Sequence, residues 1–288
     1  MKKILTILFV ILLLAGCSSQ KGYSELSNGT DVIYSTPTGD YTRNDLYKSL
    51  KISSQTAVET DLIYKVAELE KVDTSSIEKE ADDLIEMYRQ MNAEYYILSQ
   101  YGSIDAFKKL YMADGLLKQL AKSYIDVKFD EFLEKDKPVK MQVALFDSEE
   151  TASKVIEEVK AGATFDMAVA NNGYQYEATN QVYLDTQSTL DLYVKQYLSE
   201  TTNLGLSSVI TSVSSTTDAD GNYVNKNTYY VLNITSRDVN DFKDEYIELK
   251  TEQLDSTEVK NFYFEKHDIK FYDQDIYEMM KAEYEVLQ

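Results

Sequence analysis

The sequence predicts an α+β protein of two modules, and three observations carry that expectation. From Thr42 to Phe132 apolar residues recur at three- and four-residue intervals, the period of amphipathic helices. At Lys135-Asp136-Lys137-Pro138 the pattern breaks, because the residue before a proline is pushed out of the α region, and short strand-like runs follow. Beyond Asp238 the helical period returns. This order predicts a discontinuous helical domain formed by N- and C-terminal segments, residues 31–137 and 238–288, with a small α/β domain inserted at 138–237. Roughly 270 residues beyond the leader exceed one typical core, which also favours two modules.

The chain opens with Lys2 and Lys3 and an apolar run from Ile4 to Ala15 interrupted only by Thr6. About twelve residues cannot cross a hydrocarbon layer of roughly 30 Å, so the run reads as a secretory leader. Leu14-Ala15-Gly16-Cys17 reads as a lipobox: small residues suit a signal peptidase, and Cys17 is the only cysteine in the chain. A lone thiol has no internal disulfide partner, which makes Cys17 the expected lipid attachment site. Residues 1–16 are then the signal peptide and 17–30, small and polar, a lipidated flexible tether. These features predict a protein anchored by lipid on the extracytoplasmic face of the membrane.

In the helical part, Leu46, Leu50, Ala57, Leu62, Ile63, Val66 and Leu69 keep helical spacing. Asp73-Thr74-Ser75 is an N-cap cluster before a helix carrying Ile77, Ala81, Leu84, Ile85, Tyr88, Met91, Tyr95 and Leu98, with Tyr101-Gly102-Ser103 as its stop. A further helical run extends from Ile104 to Phe132. In the insert, Val139–Phe146 reads as a strand and Glu149–Lys160 as a helix with Ala152, Val155, Ile156 and Val159 inward. Gly162 stops that helix, and a short helix follows around Phe165 to Val169. Gln181–Leu184 is a brief strand, Leu190–Leu198 a helix, and Val209–Val213 with Tyr229–Ile234 a hairpin pair. Helical spacing resumes at Phe242, Tyr246, Ile247 and Leu249, then at Val259, Phe262 and Tyr263, and beyond Asp273 at Ile276, Met279 and Met280.

Composition narrows the function. Without residues 1–16 the chain carries 27 basic against 49 acidic side chains, which excludes the basic footprint that nucleic acid requires. With one histidine, His267, and one cysteine, Ser-His-Asp, Cys-His and histidine-rich zinc chemistry lack their residues, and no glycine-rich phosphate loop is present. Asp218-x-Asp220-x-Asn222 imitates the start of a calcium loop. Its glycine stands fourth instead of sixth, however, and its twelfth position is Tyr229, so a hairpin turn is the better reading. His267 beside Glu265 and Asp268 reads as a solvated helix end. Acid pairs such as Asp82-Asp83 and Glu149-Glu150 read as solvated helix faces. No metal and no cofactor beyond the lipid at Cys17 is expected.

Four segments in order resemble the PrsA-type foldase lipoproteins of Gram-positive bacteria. VIYSTPTGDYTRNDLYKSLK is similar to that family's strand, glycine turn and first helix, and LSQYGSIDAFKKLYMADGLLKQLA to its G-x-x-x-x-F-K helix pair. EETASKVIEEVKAGATFDMAVA is similar to the first two helices of a parvulin domain, and VKNFYFEKHDIKFYD to the closing element before the terminal helix. The resemblance implies a SurA-N-like helical chaperone domain, an inserted parvulin-like domain, unfolded or partly folded exported proteins as partners, and pairing of two copies through the helical halves.

Two departures bear on activity. Family parvulins carry a histidine in the first strand and another in the last; here Val143 and Tyr230 stand at those positions, and QYEATNQVYLDTQ has no Gly-Asp-Leu-Gly turn. Lowering a prolyl barrier of about 18–20 kcal/mol requires an oriented polar cluster around a twisted amide, and valine supplies no polar group. A chaperone with a degenerate parvulin domain is therefore the first expectation, holding clients on adaptable Met and Tyr side chains at Met87, Tyr88, Met91, Tyr95 and Tyr96. Two alternatives stand beside it. One is an active prolyl isomerase using Tyr230. The other is a solute-binding lipoprotein of a transporter, which usually shows repeated βα units where this chain has one small α/β module.

Overall fold

A computed structural model describes residues 26–52, 55–174, 176–186, 189–217 and 223–287. The leader with its lipobox residues Leu14, Ala15, Gly16 and Cys17, most of the tether, and the Asp218–Asn222 turn lie outside the described residues. In chain order the elements are β1 (Val32–Thr36), β2 (Gly39–Thr42), α1 (Arg43–Ile52), α2 (Gln55–Leu69), α3 (Ser75–Gln90), α4 (Glu94–Tyr101), α5 (Ile104–Val127) and α6 (Phe129–Asp136). There follow β3 (Val139–Phe146), α7 (Glu149–Lys160), α8 (Phe165–Asn172), β4 (Tyr176–Tyr183), α9 (Leu192–Glu200), β5 (Gly205–Leu206), β6 (Ile210–Thr217) and β7 (Tyr223–Ser236). The chain closes with α10 (Lys243–Gln253), α11 (Ser256–Lys266) and α12 (Gln274–Glu283). It is mostly helical with a small antiparallel sheet region. Among the described residues no helix is long and apolar enough to cross a membrane.

Packing divides the chain into two compact units, Met1–Ala121 with Asp255–Gln288, and Lys122–Leu254. In the first unit Ile63, Val66, Leu120, Val259 and Phe264 close around one small interior space, and the Tyr263 hydroxyl donates to the Leu120 carbonyl at 3.1 Å. The last two helices are pinned to the first two by ion pairs: Lys260 to Glu59 at 2.9 Å and Lys51 to Asp273 at 2.7 Å. Asp255 and Asp273 cap α11 and α12 by accepting from the Thr257 and Ile276 amides. Gly115 lies where α5 passes close to Ile77 of α3. A Cβ there would stand 2.7 Å from Cγ2 of buried Ile77. Alanine would gain about 1 kcal/mol of helix propensity but overpack a filled contact at about 1–3 kcal/mol. Gly115→Val, larger still, is expected to lower the thermal midpoint by several degrees in a calorimetric scan.

The predicted helix from Ser75 to Leu98 is two helices. Asn92 adopts φ 51°, the Asn92 amide donates to Arg89 and the Ala93 amide to Tyr88, so a left-handed cap of the Schellman type ends α3 and reverses the chain into α4. Asparagine tolerates that conformation better than most residues. The run from Ile104 to Phe132 likewise divides at Lys128, between α5 and α6.

His267 is not a solvated helix end. Its ring stacks on Tyr263 and its Nε2 lies 2.6 Å from Glu70 Oε1, while Lys266 Nζ lies 2.7 Å from the same oxygen. Burial pushes the Glu70 carboxyl up, but the hydrogen bonds and charges of Lys266 and His267 outweigh it and hold the group below the ordinary carboxylate range. A carboxyl depressed in the folded state contributes stability above its unfolded value of about 4.3, and that contribution is lost as pH falls through the folded value. Glu70→Gln is therefore expected to lower the melting temperature at pH 7, with the difference from the parent vanishing toward pH 3.

The second unit is built on one antiparallel sheet in the order β4-β3-β7-β5, with β6 also paired to β7. The long β7 serves three partners: its second half pairs on one side with β3, Tyr230 opposite Leu145 and Leu232 opposite Val143, and on the other with β5, Gly205 opposite Ile234, while its first half pairs with β6 as far as Tyr223 opposite Thr217. Side chains alternate between two apolar layers. Ala144, Phe146 and Val231 meet Ala152, Val155, Phe165 and Val169 of α7 and α8, whereas Met141, Val143, Leu232 and Ile234 meet Val194 of α9. Capping fixes the helices on these faces: the Thr164 hydroxyl accepts from the Met167 amide and Asp191 from the Tyr193 amide.

A buried ionic knot joins α6, α10 and the end of β4. Asp136 is fully buried; its carboxylate accepts from Lys250 Nζ at 2.8 Å, Tyr246 Oη at 3.0 Å and Thr186 Oγ1 at 2.9 Å. Its carbonyl accepts from the Asp185 amide, and the Lys250 ammonium also lies 4.5 Å from the Phe132 ring centroid. Left-handed Lys137 then turns the chain into Pro138 and the first strand of the sheet.

Candidate functional site

The two sets of residues singled out by sequence lie in different units. In the first unit, the turn at Asn92 places α3 and α4 side by side over a small core of Ile85, Ile97 and Phe107. Tyr88 is half-buried against that core, edge-on to Phe107 at 6.1 Å and stacked with Tyr96 at 6.3 Å between centroids. Met87, Met91, Tyr95 and Tyr96 are exposed, Met91 at 66% and Tyr95 at 72%. Leu98 and Tyr101 are exposed as well, and sequence reasoning placed neither in this face. The division follows from the cap: the break at Met91-Asn92-Ala93 sends Ile97 inward and leaves Met91 and Tyr95 at the reversal, where none of the described elements covers them. The result is an apolar face rich in two adaptable residue types.

In the second unit, Val143 is 4% exposed within the layer of Met141, Tyr183, Val194, Ile210, Leu232 and Ile234. It presents no polar atom to either side of the sheet. Tyr230 lies on the same face and is only partly buried; its hydroxyl donates to Asp191 Oδ2 at 3.4 Å. Ser212 on the neighbouring strand donates to that same oxygen at 2.8 Å, while Asp191 Oδ1 caps α9. Burial, then the charge of Asp191 and its hydrogen bond, push the Tyr230 phenol up to about 12. Tyr230 is thus a neutral donor already committed to a carboxylate. Asp191 and Ser212 were not singled out in the sequence; the aspartate before the apolar run at Leu192 was a readable cap signal, but its side-chain partners are not sequence neighbours.

Chemically, this face offers one carboxylate, two hydroxyls that donate to it, and the aliphatic surface around Val143.

No protein-family model and no curated relative matches the sequence. Among solved structures the chain is similar to the foldase protein PrsA of Streptococcus pneumoniae, at 21% identity and a TM-score of 0.45, with 88% of this chain and 100% of that chain covered. It is similar to the peptidylprolyl isomerase PrsA of Bacillus cereus at 17% identity and a TM-score of 0.45, covering 89% and 99% of the two chains. PrsA of Bacillus subtilis is 21% identical with a TM-score of 0.35, covering 86% and 97%. The similarity to PrsA structures of several Gram-positive bacteria runs over most of the chain.

Proposed function

We propose that this chain is a lipid-anchored extracytoplasmic chaperone that holds exported proteins while they fold, and that its parvulin-like domain has lost isomerase chemistry. The observation that carries the reading is the exposed Met and Tyr face at the reversal between α3 and α4. An apolar surface of flexible methionines and amphipathic tyrosines suits weak, broad binding of unfolded chains, because both residue types repack around varied partners.

In this reading the first compact unit, assembled from both ends of the chain, is the client-holding helical domain. Residues 138–237 of the second unit form the parvulin-like domain, and Cys17 carries the lipid that keeps the whole at the membrane. Buried Val143 and the commitment of Tyr230 to Asp191 support the loss of isomerase chemistry. Two assays on the chain from residue 18 test the reading together. The protein is expected to suppress aggregation of an unfolded exported protein and to leave the isomerisation of a proline peptide at the rate in buffer. Absence of protection would reject the chaperone, and a proline step accelerated well above buffer would reject the degenerate parvulin domain.

A further inference from the structure

At the end of the sheet where β3 begins and β4 and β7 finish, the second unit contains a cavity of about 600 Å³. That size falls within the roughly 300–1,000 Å³ of typical ligand pockets. Neither Val143, Tyr230, Asp191 nor Ser212 lines it. Its walls combine apolar side chains, Val139, Leu190 and Leu198 among them, with three cations, Lys137, Lys195 and Arg237. Arg237 is half-buried; one arm of its guanidinium donates to the Leu198 carbonyl at 3.3 Å, and its Nε is sealed from solvent with no acceptor. The ligand-facing part of Arg237 is therefore the outer end of the guanidinium and not its Nε.

Charge points the same way. The chain has a formal net charge of −20, yet around this cavity the three cations face only Asp185 and Asp238, and Asp238 is already engaged in capping Asn240. Among the described residues none of the three cations forms an ion pair. Thr202 adds an uncharged hydrogen-bonding group to the lining, while the Ser199 hydroxyl already donates to the Gln196 carbonyl and the Thr201 hydroxyl accepts from the Asn203 amide. A guanidinium without an ion-pair partner beside aliphatic walls recognises a carboxylate attached to apolar groups.

We propose that this cavity is a binding site for the carboxyl-terminal end of an extended, apolar peptide, with the terminal carboxylate on Arg237 and the last apolar side chains against Val139, Leu190 and Leu198. Capture of a terminal carboxylate by a preformed cluster of donors is an established mode of peptide recognition. The choice of a peptide as occupant rests on the chaperone reading; the charge and the shape of the cavity do not. The site would give a holding protein a second, end-specific grip on clients, independent of the apolar face on the first unit.

The test is calorimetric titration of the chain from residue 18 with acetylated trileucine as the free acid and as the carboxamide. The acid is expected to bind at least tenfold more tightly than the amide. Arg237→Met should bring the acid down to the level of the amide, and Arg237→Lys should restore part of the difference. Octanoate, with the same charge but no amides, should bind more weakly than the peptide acid. Equal affinity for acid and amide, no binding of either, or a preference that survives in Arg237→Met overturns the proposal, and octanoate binding as tightly as the peptide overturns the peptide assignment. If circular dichroism shows Arg237→Met unfolded, Lys195→Met takes its place: a severalfold narrowing of the acid preference supports the site, and an unchanged preference overturns it. Client protection is measured on the same preparations. Protection without acid preference rejects this cavity alone, whereas acid preference without protection rejects the chaperone reading alone.

Discussion

Asp136→Ala is expected to cost the second unit about 3–5 kcal/mol, the usual consequence of removing one partner from a buried ion pair. Lys250 is 7% exposed, and without the carboxylate its ammonium would sit in the protein beside Phe132 with no counter-charge. The Tyr246 hydroxyl would lose its acceptor too. Because a domain is stable by only about 5–15 kcal/mol, this single change takes a large share of the total. A double variant, Asp136→Leu with Lys250→Met, should recover much of the loss, since exchanging both charges for apolar groups removes the orphan as well as the pair. Urea unfolding followed by circular dichroism measures both. A loss below about 1 kcal/mol for Asp136→Ala would show that water reaches the knot and that the ion pair does not hold α6 to α10.

The second large effect is functional. The triple variant Met91→Ser, Tyr95→Ser and Tyr96→Ser is expected to abolish protection of an aggregating client while shifting stability by less than about 1 kcal/mol, because exposed side chains contribute little to folding. Tyr88→Ala separates packing from binding. Its ring lies against Phe107 and Tyr96, so its removal should destabilise the first unit by about 1–3 kcal/mol. Full protection by the folded triple variant would move the client site elsewhere.

Local grammar made much of the fold readable. Val139–Phe146 and Glu149–Lys160 are bounded as the sequence predicts, because Pro138, the alternating apolar strand and the turn at Gly162 all act within a few residues. The α3–α4 reversal was missed for an equally local reason. Its signal is one asparagine, Asn92, which is tolerated inside helices as well as in left-handed caps, so apolar spacing alone ran through it. Strand β4 extends from Tyr176 where the sequence suggested a start near Gln181, since pairing with β3 recruits residues whose own pattern is polar.

The sites divide along the same line. Met91 and Tyr95 could be named from composition, but whether they face solvent depended on a turn that the pattern did not reveal. Val143 could be named only by resemblance, and its burial depends on α9 covering the sheet. The least readable features are contacts distant in sequence. Asp136 meets Lys250 across 114 positions, and Tyr230 meets Asp191 across 39. No periodicity encodes such pairs; they exist only once the sheet and its helices have packed.

A protein that holds chains without turning prolines, as proposed, should not need proline in its clients. Light scattering by an unfolded, aggregation-prone protein with no proline should fall in the presence of the chain from residue 18 as much as it does for a proline-containing client of similar length. Protection confined to the client that contains proline would contradict the account and return the activity to the sheet face around Tyr230.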